Sequence, residues 1–253
     1  MELNLRGKKA IVTGGTKGIG RAIALGLADE GCSVGVCARN GDEVAATVQA
    51  LQAKGVAAFG SALDVGDGEA LRLWVADMEN SLGGLDVYVS NVSAQGGAMD
   101  EESWRRSFDV DTMGAIIGIE TALPHLEKSE AGAVIMIITT GALEVFPPRK
   151  PYAVVKAANL AYMKYLSFDC APKGVRVNAV SPGSIFFEGG VWDRRRVNEP
   201  EKYQRMIDLN PTGRMGRPEE VANAVVFLAS PAASFITGTN LVVDGTSTKR
   251  IQN

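Results

Sequence analysis

The stretch Lys9-Ala10-Ile11-Val12-Thr13-Gly14-Gly15-Thr16-Lys17-Gly18-Ile19-Gly20-Arg21-Ala22-Ile23-Ala24 decides the fold. A β-branched apolar run passes straight into a glycine cluster, which gives way to an amphipathic helical pattern. Glycines here let the backbone turn sharply and approach a pyrophosphate closely. The helix behind them offers free N–H groups and the positive end of its dipole. A tight strand-to-helix turn alone could also demand glycine. The setting, after a first strand and before a helix, favours phosphate binding and makes Gly14, Thr16, Lys17, Gly18, Ile19 and Gly20 candidate contacts.

Outward from this turn, short apolar runs alternate with longer helical ones. Strands are expected at 9–13, 33–38, 57–62, 85–90, 133–139, 175–180 and 240–243. They are apolar nearly throughout, as in a parallel sheet covered on both faces. Helices are expected at 18–30, 42–54, 68–81, 102–128, 152–171 and 218–229. This order predicts an α/β doubly wound (Rossmann) parallel sheet of about seven strands with helices on both faces. No linker or composition break divides the 253 residues, so one catalytic domain over 1–253 is the simplest reading. The long irregular stretch 181–217 holds Gly183, Gly189, Gly190, Pro200 and Pro211; its portion 184–217 is a candidate substrate lid.

A formal charge of −3 gives no basic surplus to attract nucleic acid or anionic lipid. No signal pattern or membrane-spanning run is read, so the expected location is cytoplasmic. Cys32, Cys37 and Cys170 lack metal-ligand spacing, and His125 is the only histidine. A zinc site is not expected; the thiols and the imidazole read as structural.

The tip of the second strand discriminates between nicotinamide cofactors. An NAD site usually has an acid there to accept from the ribose 2′-hydroxyl. Here the sequence is Cys37-Ala38-Arg39-Asn40, with no carboxylate until Asp42, which reads as a helix cap. The Arg39 guanidinium can grip a 2′-phosphate with paired hydrogen bonds, and Lys17 offers a second charge. NADP(H) is preferred and NAD(H) is possible. Asp64 and Val65 could bracket the adenine. Asn91 could bind the nicotinamide-side ribose or tie two strands together.

Tyr152-Ala153-Val154-Val155-Lys156 places a phenol and an ammonium at i and i+4 on one helix face. A cation so close favours phenolate and lowers the tyrosine pKa, making Tyr152 a proton donor or acceptor for a carbonyl/alcohol pair. Tyr and Lys at this spacing also occur by chance on many helices.

The context gives the pair meaning. In order come Thr13–Gly20, Asp64-Val65, Asn91, Thr139-Thr140, Tyr152 with Lys156, the run Asn178-Ala179-Val180-Ser181-Pro182-Gly183, Ile236-Thr237-Gly238 and Val243-Asp244-Gly245. In these features the chain resembles the short-chain dehydrogenase/reductase family over essentially its whole length. The resemblance implies an oxidoreductase that moves a hydride between nicotinamide and a carbonyl or secondary alcohol. It implies that Tyr152 is the acid/base and that Lys156 lowers its pKa and holds the nicotinamide ribose. A strand-five hydroxyl would steady the substrate oxygen, and Pro182, Gly183 and Ile185 would border the nicotinamide.

Four departures from the family pattern stand out. The usual catalytic serine is a threonine: Thr140 fits by motif order, twelve residues before Tyr152, with Thr139 the alternative. Asp111 replaces an asparagine whose main-chain carbonyl is thought to hold a water on the proton path. The turn after strand four reads Ser90-Asn91-Val92-Ser93, and the C-terminal motif ends Gly245-Thr246.

Gln95, Phe146, Phe186, Phe187 and Trp192 are candidate substrate contacts, with core packing the alternative. Arg194-Arg195-Arg196 could meet an anionic substrate or form a solvated face. The expected substrate is a small or medium, partly apolar molecule. A carrier-bound 3-oxoacyl group and a non-catalytic dinucleotide-binding regulator are the alternatives. A homodimer or homotetramer built across the long helices is expected.

Overall fold

The computed structural model describes residues 2–95, 98–148 and 150–251. Seven strands, β1 (Lys9–Thr13), β2 (Ser33–Ala38), β3 (Ala58–Ala62), β4 (Val87–Ser90), β5 (Ala133–Ile137), β6 (Arg176–Pro182) and β7 (Asn240–Val243), form one sheet. Their order is β3-β2-β1-β4-β5-β6-β7, and every pairing is parallel. The order reverses between β1 and β4, so the crevice beyond their carboxyl ends is where a dinucleotide belongs in such a sheet.

The helices are α1 (Gly18–Asp29), α2 (Gly41–Gln52), α3 (Gly68–Leu82), α4 (Glu101–Ser107), α5 (Gly114–Leu126), α6 (Pro151–Cys170), α7 (Val191–Asn198), α8 (Pro200–Asp208) and α9 (Pro218–Ala229). Successive strand residues point to opposite faces. Val12, Val34, Val36, Val87, Val89, Ile135 and Val180 meet Ile23 and Leu27 of α1 and Val221 and Val225 of α9. Ile11, Tyr88, Val134, Met136 and Val177 meet Trp74 of α3, Ile119 of α5 and Met163 of α6. This two-sided burial explains why the strands read as apolar runs without alternation.

Two expectations are corrected. The helix expected over 102–128 is continuous from Glu101 to Leu126 but not α-helical throughout, because Phe108–Met113 is a π-helix between α4 and α5. The stretch expected to be irregular contains α7 and α8, and β6 runs on to Pro182. Among the described residues no helix is long and apolar enough to cross a membrane.

Candidate active site

The glycine loop joins β1 to α1 at the reversal point. Asn91, just past β4, donates from Nδ2 to the carbonyls of Thr13 (3.0 Å) and Gly14 (3.2 Å), and its N–H donates to Thr13 Oγ1. Its side chain ties the two strand ends together. A Cβ on Gly20 would lie 2.1 Å from the Gly14 carbonyl oxygen, so only glycine lets α1 begin this close to the turn. Lys17 caps α1 without a side-chain hydrogen bond to the first turn. The first-turn amides are thereby left for an anion, and Thr16 is buried beside them. The loop therefore fits a dinucleotide pyrophosphate.

Phe187 packs its ring against this loop. A Cβ on Gly18 (φ +49°) would lie 2.5 Å from its ring, and one on Gly190 3.0 Å.

At the tip of β2, Arg39 is exposed, and two carboxylates nearby, Glu43 and Asp64, are engaged. Lys17 Nζ pairs with Glu43 Oε1 at 2.6 Å, and Thr16 Oγ1 donates to Glu43 Oε2 at 3.4 Å. Asp64 accepts from Arg106 Nη2 at 2.6 Å and from the Gly66 N–H at 2.9 Å. Burial acts to raise the Asp64 pKa. The hydrogen bonds from Arg106 and Gly66, with the charges of Arg106 and Arg39, hold it below the ordinary value. Both Asp64 oxygens thus have protein partners, while Val65 is buried beneath them. Asp42 is not the cap of α2, because Asn40 holds that place by accepting from the Glu43 N–H at 3.1 Å.

At the end of β5 the chain gathers the acid/base candidates. Lys156 is buried on α6 and donates to the carbonyls of Ile137 (3.1 Å) and Val92 (3.2 Å). Its ammonium lies 3.5 Å from Asp111 Oδ1, and Asp111 Oδ2 accepts from the Ala94 N–H at 3.0 Å. Asn159 Nδ2 donates to the Asp111 carbonyl at 2.6 Å. Burial lowers the Lys156 pKa, and Asp111 works against it. The phenol of Tyr152 stands beside the Thr139 side chain, and its hydroxyl donates to the Ile138 carbonyl at 3.5 Å.

Two expectations change here. The hydroxyl beside Tyr152 is that of Thr139, whereas Thr140 opens a short 3-10 turn and is buried. The phenol is not made acidic by Lys156. Burial of its hydroxyl end and the Asp111 charge push its pKa up to about 12, against the Thr139 hydrogen bond. Lysine's donors are aimed at main-chain carbonyls and Asp111 instead.

On the far side, Gly183 donates its N–H to the Val243 carbonyl at 3.0 Å, directly after Pro182 ends β6. Ile185 is buried and bridges to Gly216, which pins both ends of the segment that carries α7 and α8. Within that segment Phe186 stacks edge-on to Tyr203 at 6.2 Å, and Arg195 lies over Trp192 at 4.8 Å. Arg194 donates to the Gly189 carbonyl, and Arg196 pairs with Asp193. Gln95 and Phe146 are exposed, and the interactions just described do not include them.

The three cysteines are buried free thiols; burial pushes Cys32 and Cys37 up to about 12, outside the reactive range. His125 lies 3.3 Å from Glu79. Among the described residues no cluster of metal ligands occurs.

Sequence reasoning missed Glu43 and Asn159. Asn159 stands at i+7 from Tyr152 and i+3 from Lys156, so helical phase could have found it. Glu43 gave no such signal, because its partner lies on another element.

Residues 14–248 match the family model described as enoyl-(acyl carrier protein) reductase. The isoepoxydon dehydrogenase of Penicillium expansum is 37% identical over 247 residues, covering 95% of each chain. L-Sorbose reductase from Gluconobacter frateurii, solved with NADPH and L-sorbose, superposes with TM-score 0.91 at 28% identity over 99% of this chain and all of that one. A 7α-hydroxysteroid dehydrogenase complexed with NADH and 7-oxo glycochenodeoxycholic acid gives 0.89 at 31% identity, covering 99% and 98%. With the sheet order and the crevice, these likenesses place the chain in the short-chain dehydrogenase/reductase family, oxidoreductases that act on alcohol and ketone groups with a nicotinamide dinucleotide.

Proposed function

We propose that the whole chain is one catalytic domain, an NADP(H)-preferring enzyme that interconverts a carbonyl and a secondary alcohol, with 184–217 as its substrate lid. The observation that carries this reading is the meeting of Tyr152, Thr139 and Lys156 at the ends of β4 and β5, beside the glycine loop. The dinucleotide, when bound, supplies or takes the hydride. Tyr152 handles the proton. The phenol donates its proton to a carbonyl oxygen in reduction and accepts one from an alcohol in oxidation. The Thr139 hydroxyl holds the same oxygen and stabilises the charge that develops on it. Lys156, fixed by two carbonyls, keeps a positive charge behind the phenol. Gly14, Thr16, Lys17, Gly18, Ile19 and Gly20 would hold the pyrophosphate, Arg39 the 2′-phosphate, Asp64 and Val65 the adenine, and Pro182, Gly183 and Ile185 the nicotinamide.

The solved relatives hold substrates as different as L-sorbose and 7-oxo glycochenodeoxycholic acid, so the proposed class stays at a partly apolar ketone or alcohol. A carrier-bound 3-oxoacyl substrate is less favoured, because each arginine of Arg194–Arg196 is engaged within its own segment. A panel of ketones and 3-oxoacyl thioesters with NADPH and NADH, followed at the nicotinamide absorbance, tests the proposal. Absence of turnover with every carbonyl defeats it.

Arg39→Asp is expected to shift the ratio of kcat/KM values for NADPH and NADH toward NADH by about tenfold or more, since it exchanges a phosphate-binding fork for a repelling acid. An unchanged ratio removes Arg39 from the cofactor site.

Assembly follows from one helix face. Val154, Tyr165 and Phe168 are exposed on α6 at spacings that put them on the same side. A second copy is the proposed cover. Light scattering at micromolar concentration should give two or four chain masses, and a monomer mass rejects the proposal.

A further inference from the structure

We propose that Glu43 sets how strongly this enzyme prefers NADP(H), by competing with the cofactor's 2′-phosphate for Lys17. The inference rests on the NADP(H) reading above and assigns a selectivity role to a residue outside the glycine loop and the β2 tip.

Three features place Glu43 there. Its backbone is fixed at the start of α2, where Asn40 accepts from its N–H at 3.1 Å. Its side chain reaches back to the β1–α1 loop, with Oε1 2.6 Å from Lys17 Nζ and Oε2 3.4 Å from Thr16 Oγ1. It therefore bridges the two turns that bracket the adenosine ribose in a sheet of this kind.

The charges at this end of the crevice include Lys17, Arg39 and Arg106 against Glu43 and Asp64, with Asp42 exposed beside Glu43. Arg106 is held by Asp64 and Lys17 by Glu43. Among the described residues, Arg39 makes no ion pair within 4.0 Å. Two cations near a phosphate site would suggest strong selectivity for the 2′-phosphate. The pairing reduces this, because a phosphate gains Lys17 only by replacing one ion pair with another. It must also tolerate the displaced carboxylate nearby. A ribose 2′-hydroxyl meets no such repulsion, and a carboxylate is the group that ordinarily accepts from it. Glu43 thus lowers affinity for the phosphorylated cofactor and leaves the other usable.

The Lys17 side chain is exposed (67%) and that of Glu43 half-buried (30%), so the pair lies at the surface and its loss should leave folding intact. Calorimetric titration with 2′,5′-ADP and 5′-AMP separates the 2′-phosphate from the rest of the nucleotide. Glu43→Gln is expected to tighten 2′,5′-ADP by about tenfold, roughly 1.4 kcal/mol, while 5′-AMP changes by less than about twofold. In a Lys17→Met background the same substitution should yield a clearly smaller gain. The proposal is overturned if Glu43→Gln weakens or leaves unchanged the binding of 2′,5′-ADP, if both nucleotides shift equally, or if the gain persists in full without Lys17. The cofactor reading is judged separately. It fails if wild-type protein binds the two nucleotides equally and Arg39→Asp changes neither.

Discussion

Tyr152→Phe is expected to lower carbonyl turnover by about 10²–10⁴-fold, the usual contribution of a positioned acid/base group. Nearly everything else about the site should survive. The hydroxyl's contact to the Ile138 carbonyl is long, 3.5 Å, so apart from its interaction with the Thr139 side chain its removal breaks no strong hydrogen bond. Phenylalanine fills the same volume, and thermal stability should stay close to wild type. Cofactor affinity, read by fluorescence titration, should change by less than about twofold, since the loss lies in the transition state. Turnover at the wild-type rate would show that the proton comes from another group. A parallel loss of cofactor binding would show that Tyr152 holds the dinucleotide instead.

Asp111→Ala is expected to destabilise the fold by about 3–5 kcal/mol, the cost of leaving a buried charge without its counter-charge. Side-chain exposure is 4% for Lys156 and 0% for Asp111, so water cannot take the place of the missing partner. The Ala94 N–H loses its acceptor as well. Asp111→Asn separates the two losses, because the amide oxygen can still accept from Ala94 while the charge is gone. The pH dependence carries the sign. Burial lowers the Lys156 pKa in the folded protein below its ordinary 10.5, and Asp111 raises it. Between the folded and unfolded pKa values the unfolded chain binds more protons, so stability rises with pH across that window. Removing the Asp111 charge lowers the folded pKa further and extends the window downward. Denaturant unfolding should therefore show Asp111→Asn gaining more than wild type as pH rises from neutrality toward 10.5. Equal slopes in the two proteins would mean that Asp111 does not govern the Lys156 charge.

What the sequence disclosed and what it hid divide along a physical line. Strand positions, glycine loop and parallel order were legible because each rests on a local run: β-branched residues between helical patterns, or glycines at a turn. The Tyr152–Lys156 pair was legible through helical spacing. Their electrostatics were not, because that spacing gives proximity but not direction. Lys156 is turned to the ends of two strands, and burial raises the phenol that a neighbouring ammonium was expected to lower. Thr139 and Thr140 are adjacent and chemically identical, so only the backbone leaving β5 decides which one faces Tyr152. The helices within 184–217 were hidden by their prolines and glycines. Of these, Gly190 caps the start of α7 and Pro200 opens α8, where a proline's missing N–H costs nothing.

The wide turn at Phe108–Met113 has a consequence for chain length. Its i→i+5 bonding absorbs a residue that an α-helix would pass on as rotation. On one side Arg106 reaches Asp64; on the other Asp111 meets Lys156, and Gly114 lies so close to the Val65 carbonyl that a Cβ would stand 2.9 Å from it. Forcing the same residues into a regular α-helix would pass that residue on and twist one half against the other by about 100°. Only one of the two anchorages could then be kept. The bulge is what lets a continuous rod serve both ends of the crevice.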